Sequence, residues 1–230
     1  MKGYFCRNPR VSSWPPGVYA VRGNDVRDVH NLERILAFVF DNIGSLVSTR
    51  KIAGYLKNQG VSMSVDTVGR YLGYLSQAML LDQVGRFSIK GKKHLEYLDK
   101  FYVTDLGLRH GLFGYRGGDV GALLENIVYL ELCRRGYRVH VGVLDGTEID
   151  FVAERHDQRI YVQVAYLLAE DATVQREFGN LEKIPDNFPK LVLSLDEYFP
   201  AERNGIIHQN IREFLMSKES GDLPKPTVSH

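Results

Sequence analysis

The 230-residue sequence predicts an α/β protein in two parts, an N-terminal winged helix-turn-helix followed by a larger α/β domain. Three observations lead there. Between residues 31 and 80, apolar side chains recur at three- and four-residue steps in three short segments, with a glycine-containing break before the third. Beyond residue 100 the pattern changes to short strand-like runs alternating with helical ones. The charge changes sign at the same place: residues 1–100 carry 15 Lys/Arg against 8 Asp/Glu, and residues 101–230 carry 14 against 20. The net charge of +1 therefore hides a basic part, suited to phosphates, and an acidic part.

Residues 1–24 read as an irregular segment, with Ser12, Ser13, Pro15, Pro16 and Gly17 crowded together and only residues 18–21 strand-like. Residues 25–100 form the expected winged-helix domain. Leu32, Ile35, Leu36, Val39, Phe40 and Ile43 make one face of a helix, with Asn31 as its N-cap and Gly44 near its end. Ser48 and Thr49 cap a second helix, which breaks at residues 58–60. Ser64 caps a third, whose buried stripe is Val65, Val68, Leu72, Leu75 and Leu80. Residues 80–84 and 86–89 bracket Gly85 and predict a small hairpin, the wing, followed by Lys90, Lys92, Lys93 and His94. In such a module the N-terminal turn of the third helix enters a major groove while basic wing residues hold phosphates. Ser64, Thr67, Arg70, Lys90, Lys92 and Lys93 are the residues placed to contact duplex DNA. The helix is poor in the Arg and Asn that read base edges, and Asp66 repels phosphate, so base-specific reading is not expected.

Residues 101–216 form the second expected domain. A strand at 101–104, a short helix at 106–113 and a loop with Gly114, Gly117 and Gly118 lead into a strong helix at 121–135, stopped by Gly136. Three strands follow at 137–143, 148–153 and 160–167, turning at Asp145-Gly146 and His156-Asp157. A helix at 173–184, strands at 190–195 and 205–207, and a helix at 209–216 complete it. Residues 217–230, with Pro224 and Pro226 and few apolar side chains, are expected to be a disordered tail.

The order of helix, three-stranded meander, helix and strand is similar to the core of PD-(D/E)XK nucleases. There a helix Glu, a strand Asp and an E-x-K on the next strand assemble a magnesium site. Glu125 and Asp150 occupy the first two places and would be the metal ligands, with magnesium as the ion taken if the site were active. Gln163-Val164-Ala165 stands where E-x-K belongs. A carboxamide supplies no negative charge, and a methyl group cannot position a water, so Glu125, Asp150 and Gln163 read as the remnant of a nuclease site. Arg155, Arg159 and Arg176 are the cations that would have to migrate in, although a guanidinium titrates too high to act as a base.

Several segments also resemble a known family: DNIGSLVSTRKIAGYLK at 41–57, TVGRYLGYLSQAMLL at 67–81, IKGKKHL at 89–95, YVTDLGLRH at 102–110, GALLENIVYLELCRRGYRV at 121–139, EIDFVA at 148–153 and YVQVAYLL at 161–168. Together they are similar to the C-terminal half of prokaryotic AAA-type ATPases, a domain family of unknown function, over about residues 25–215. The resemblance implies a winged helix followed by a restriction-endonuclease-like domain, normally preceded by an ATPase module. No GxxxxGK[ST] occurs in the chain, so ATP binding through a P-loop is not expected of it, and Met1 to Gly17 does not resemble the ATPase.

The favoured expectation is a non-catalytic DNA-binding or regulatory module of an AAA-type ATPase, without its P-loop domain. The alternatives are a magnesium-dependent nuclease with an atypical site, and a structural docking partner of a separate ATPase. No run of about 18 apolar residues and no charged-then-apolar leader occurs, which predicts a soluble, cytoplasmic protein. Cys6 and Cys133 lie far apart with no CxxC, supporting neither a disulfide framework nor a zinc site. His94, His110, His140 and His208 are scattered and carry no assigned chemistry.

Overall fold

The computed structural model describes residues 28–115 and 117–217. The irregular segment expected at 1–24, Cys6 and the tail expected beyond Ser217 lie outside them. Two compact units divide the chain, one of residues 28–42, 48–82 and 103–115, the other of residues 43–47, 83–102 and 117–217. The chain thus passes between them five times, and the boundary expected after residue 100 falls inside a strand.

The first unit is helical: α1 (Val29–Asp41), α2 (Thr49–Asn58), α3 (Val65–Gln77) and α4 (Leu106–Phe113). Asp28, not Asn31, caps α1. Its carboxylate accepts from the Asn31 backbone N–H at 3.1 Å and from Asn31 Nδ2 at 2.7 Å, so Asn31 completes the cap from inside the first turn. A charged acceptor at the positive end of the helix prevails over a neutral amide. Ser48 and Ser64 cap α2 and α3 as the sequence predicts, and Gly114, at φ +75°, ends α4. The periodic residues Leu32, Ile35, Ile52, Leu56, Val68 and Leu72 are all buried, each contributing roughly 1.5–3 kcal/mol on removal from water. Arg109 of α4 is buried as well and donates through Nε to the Phe40 carbonyl at 3.0 Å.

The hairpin differs from its expected form. Residues 81–88 make one continuous strand, β2 (Leu81–Ser88), which runs through Gly85 to a turn at 89–92 and returns as β3 (Lys93–Val103). The positive φ that a tight turn needs is taken by Lys92 at +47°, where Gly91 N–H donates to Ser88 Oγ at 3.1 Å. Nor is the hairpin a free wing. β2 runs parallel to β4 (Arg138–Leu144) with Phe87 opposite Gly142, so it forms part of the sheet of the second unit.

Among the described residues that sheet has nine strands in the order β1-β3-β2-β4-β5-β6-β7-β9-β8, with β1 (Leu46–Val47), β5 (Thr147–Arg155), β6 (Gln158–Val164), β7 (Lys190–Ser194), β8 (Glu202–Arg203) and β9 (Ile206–Asn210). β4, β5 and β6 are the antiparallel meander, and β6, β7 and β9 run parallel. The described helices of the unit are α5 (Val120–Arg134), α6 (Asp171–Glu182) and α7 (Ile211–Met216). Successive strand residues point to opposite faces. Phe151 and Val162 accordingly pack with Val128, Leu132 and Phe214, while Val152 and Tyr161 pack with Phe178 and Leu181 of α6. Among the described residues no helix is long and apolar enough to cross a membrane.

Candidate functional site

A β-bulge places the central carboxylate. His140 pairs with Val152 and Gly142 with Ile149, so β4 has one residue, Val141, where β5 has two, Asp150 and Phe151. Such an insertion unpairs the ladder and re-aims a side chain. Side chains satisfy the loosened backbone: Asp150 N–H donates to Gln163 Oε1 at 2.6 Å, and Val164 N–H donates to Asp150 Oδ2 at 2.8 Å. Gly142 permits the arrangement, since a Cβ there would stand 2.8 Å from both Ile149 Cβ and Val152 Cγ2.

The other face of Asp150 looks onto Lys100 of β3, a residue the sequence did not single out. Lys100 is 2% exposed. Its ammonium lies 2.8 Å from Glu125 Oε1, 2.5 Å from Glu148 Oε1 and 3.9 Å from Asp150 Oδ1. Tyr102, two residues along on the same face of β3, donates to Glu125 Oε1 at 2.6 Å. Gly44, at φ +69°, brings its backbone so close that a Cβ would sit 3.2 Å from Glu125 Oε2.

Three carboxylates thus share one ammonium. Burial opposes the charge on Lys100, but Glu125, Asp150 and Glu148 outweigh it and hold its pKa above the ordinary value. Burial also pushes Glu125 up, against the opposing pull of Lys100 and the hydrogen bonds from Lys100 and Tyr102. Asp150 lies well above the usual carboxylate range through burial and the nearby Glu125, with Lys100 acting the other way.

The structure brings Glu125, Asp150 and Gln163 together and adds Lys100, whose ammonium stands among the carboxylates expected to hold magnesium in an active site. The Lys100 ammonium sits among the carboxylates and repels a dication from the same space. Among the described residues no group of three or more His, Cys, Asp or Glu is arranged to hold a metal ion. The residues present do not fit magnesium. The three arginines expected to migrate in are engaged elsewhere, Arg155 with the Arg135 carbonyl, Arg159 with Glu154 and Arg176 with Glu177.

Gln163 has a reason to be an amide. While Oε1 accepts from Asp150, Nε2 donates to Glu177 Oε2 of α6 at 2.7 Å, and both Gln163 and Glu177 are buried. A carboxylate accepts only. Gln163→Glu is therefore expected to destabilise the fold by about 2 kcal/mol or more, because it sets two buried carboxylates against each other. Urea unfolding checks this, and a neutral effect would show that the Gln163–Glu177 contact is dispensable. Ala165 packs with Leu168, Val174 and Phe178, so a lysine restored at the E-x-K position would enter an apolar cluster.

Of the residues expected at DNA, Ser64, Thr67 and Arg70 form one chain on the first turns of α3: Ser64 Oγ lies 2.9 Å from Thr67 Oγ1, which accepts from Arg70 Nη2 at 3.3 Å. Lys90, Lys92 and Lys93 lie at the hairpin turn, in the other unit. Lys90 pairs with Asp145 at 3.3 Å, both exposed. The described part of the helical unit holds six Lys/Arg and six Asp/Glu. Within the described residues, the basic excess of residues 1–100 lies on β2, β3 and the turn between them.

Residues 22–118 match the family model of a domain of unknown function (DUF8612). The chain is also similar to an uncharacterized protein of Haemophilus influenzae, 39% identical over 181 residues that make up 79% of this chain and 44% of the relative. An uncharacterized protein of Methanocaldococcus jannaschii, MJ1544, is 31% identical over 166 residues, 69% of this chain and 35% of that one. The chain spans under half the length of either of these relatives.

Proposed function

We propose that this chain is a non-catalytic binding and regulatory module. Its helical unit docks on duplex DNA through α2 and α3, and its α/β unit is a restriction-endonuclease-like scaffold whose catalytic place is closed by an internal cation. The observation that carries this reading is the Lys100 ammonium, buried and held between Glu125 and Glu148, the carboxylates that a metal would need. β6 carries Gln163 and Ala165 in place of a carboxylate and a lysine, and the ammonium that the site does hold, Lys100, is engaged by Glu125 and Glu148, which supports a binding rather than a hydrolytic role. The resemblance of the chain to the C-terminal half of AAA-type ATPases, and the greater length of both relatives, support a module that works beside further protein.

On the helical unit, Arg50, Lys51 and Lys57 of α2 and Arg70 of α3 are exposed. Four phosphate contacts predict that the logarithm of the DNA association constant falls with the logarithm of salt at a slope of about −3 to −4, roughly a hundredfold loss between 50 and 200 mM. A fluorescence-anisotropy titration of the full chain with duplex DNA at several salt concentrations measures that slope. Absence of binding at low salt, or an affinity indifferent to salt, sinks the DNA-docking reading. Incubation with plasmid and magnesium or manganese is expected to leave the DNA intact; cleavage abolished by Asp150→Asn would overturn the non-catalytic one.

A further inference from the structure

One face of the α/β sheet gathers imidazoles and arginines where β3, β2, β4, β5 and β6 lie side by side. Arg138 and His140, alternate residues of β4, point to the same face. Arg138 stands opposite Glu154 of β5, and Glu154 opposite Arg159 of β6. His140 lies over Phe87 of β2 with ring centroids 6.2 Å apart and meets His94 of β3 at 4.7 Å, while His94 meets Phe87 edge-on at 5.5 Å. The Arg159 guanidinium is 5.1 Å from the same phenyl ring. Two imidazoles and a guanidinium thus cover Phe87, which is buried.

The charges on this face do not cancel. Arg159 pairs with Glu154, but Arg138 is exposed and, among the described residues, forms no ion pair; neither His94 nor His140 hydrogen-bonds to another group there. Burial holds the His140 pKa below its ordinary value, His94, Arg138 and Arg159 push the same way, and Glu154 opposes them. The imidazole is therefore neutral at pH 7, and surroundings this positive disfavour a metal cation and favour an anion. From Arg138 to Leu144, β4 covers about 20 Å. Its far end lies beside the hairpin turn, where Ile89 N–H donates to the Val143 carbonyl and where Lys92 and Lys93 are exposed with no ion pair among the described residues. These cations are segregated, because the described part of the unit is acidic overall, with 15 Lys/Arg against 19 Asp/Glu.

We propose that this strip is a second contact with the backbone of duplex DNA, in which Arg138, Lys92 and Lys93 hold phosphates while His94 and His140 take up protons, so that affinity rises as pH falls. The inference rests on the DNA-docking reading and adds to it a surface on the other unit and a pH dependence. An extended polyanion fits better than a lone phosphate, since the cations are spread along the strand rather than converging on one point. A single strand fits less well, since the ring on which its bases would stack is covered. The sign of the pH effect follows from the chemistry: an imidazole beside a phosphate holds its proton more tightly than one without, so the complex carries more protons than its free parts. The three cations add to the four of the helical unit and steepen the salt dependence that those set.

Fluorescence anisotropy of the full chain with duplex DNA, at one ionic strength and at pH 8 and pH 6, tests this. Binding is expected to be about fivefold tighter at pH 6. The double substitution His94→Gln and His140→Gln is expected to remove that difference. Arg138→Ala, at an exposed position, is expected to weaken binding about threefold or more and to lower the salt slope by about one. Salt-sensitive binding that is equal at the two pH values, a pH difference that survives the double substitution, or indifference to Arg138→Ala overturns the strip and leaves α2 and α3 as the docking site. No binding at low salt at either pH overturns the strip and the DNA-docking reading together.

Discussion

Replacing Lys100 with Met is expected to lower the Tm by about 10 °C near pH 8. The substitution leaves Glu125, Glu148 and Asp150 crowded together with no cation, and breaking a buried ion pair from one side costs roughly 3–5 kcal/mol, at about 2–4 °C for each in a chain of this size. The pH dependence gives the loss its signature. Because the native pKa values of Glu125 and Asp150 are raised, the folded chain binds protons more readily than the unfolded one, and stability falls as pH climbs from the ordinary carboxylate range through those raised values. Without the ammonium both values rise further, so the deficit of the variant is expected to be small near pH 5 and large near pH 8. Adding Glu125→Gln should recover part of it. Thermal unfolding across that range decides the matter: a deficit constant with pH would mean that Lys100 acts through packing alone.

Gly142→Ala should cost about 3 kcal/mol for a single added methyl group, at the upper end of what overpacking does. Its Cβ meets Ile149 and Val152 at 2.8 Å and Ile89 Cδ1 at 3.2 Å, all of them buried side chains of one apolar cluster with nowhere to move. The only relief is to open β4 from β5, which flattens the bulge and withdraws Asp150 from Lys100. Chemical unfolding measures the cost, and two-dimensional amide NMR shows whether the signals of Asp150 and Val164 shift. An alanine variant of unchanged stability would remove Gly142 as the reason the bulge forms.

The parts of the fold legible in the sequence are those that local rules decide. Helix α4, with Asp105 ahead and Gly114 behind, lies where the pattern puts it, and so do the meander strands on either side of Asp145-Gly146. Errors arose where a local signal had two readings. Gly85 marks turns more often than strand interiors, yet cross-strand pairing holds it extended. Asn31 is a fair cap until Asp28, three residues earlier, is weighed by its charge. The site was half legible: Glu125, Asp150 and Gln163 follow from the order of elements, but Lys100 is 25 residues from Glu125 and on a strand outside the meander. One clue existed. In 100–103 the sequence Lys-Phe-Tyr-Val is buried throughout, and a lysine inside so apolar a strand demands carboxylates from somewhere else in the chain. Glu177 left no such clue, because a glutamate on an amphipathic helix is expected to face water.

The interleaving of the two units has a consequence for how such a protein is inherited. The chain leaves the helices at β2, joins the sheet as β2 and β3 and returns to α4, so no single cut yields two self-sufficient fragments. The stretch that matches the DUF8612 family model, ending at residue 118, takes with it three of the nine described strands and Lys100, while the carboxylates that neutralise Lys100 all come later. Recombination at that seam would strand a bare ammonium in one product and a nest of anions in the other, a reason for the halves to travel as one cassette.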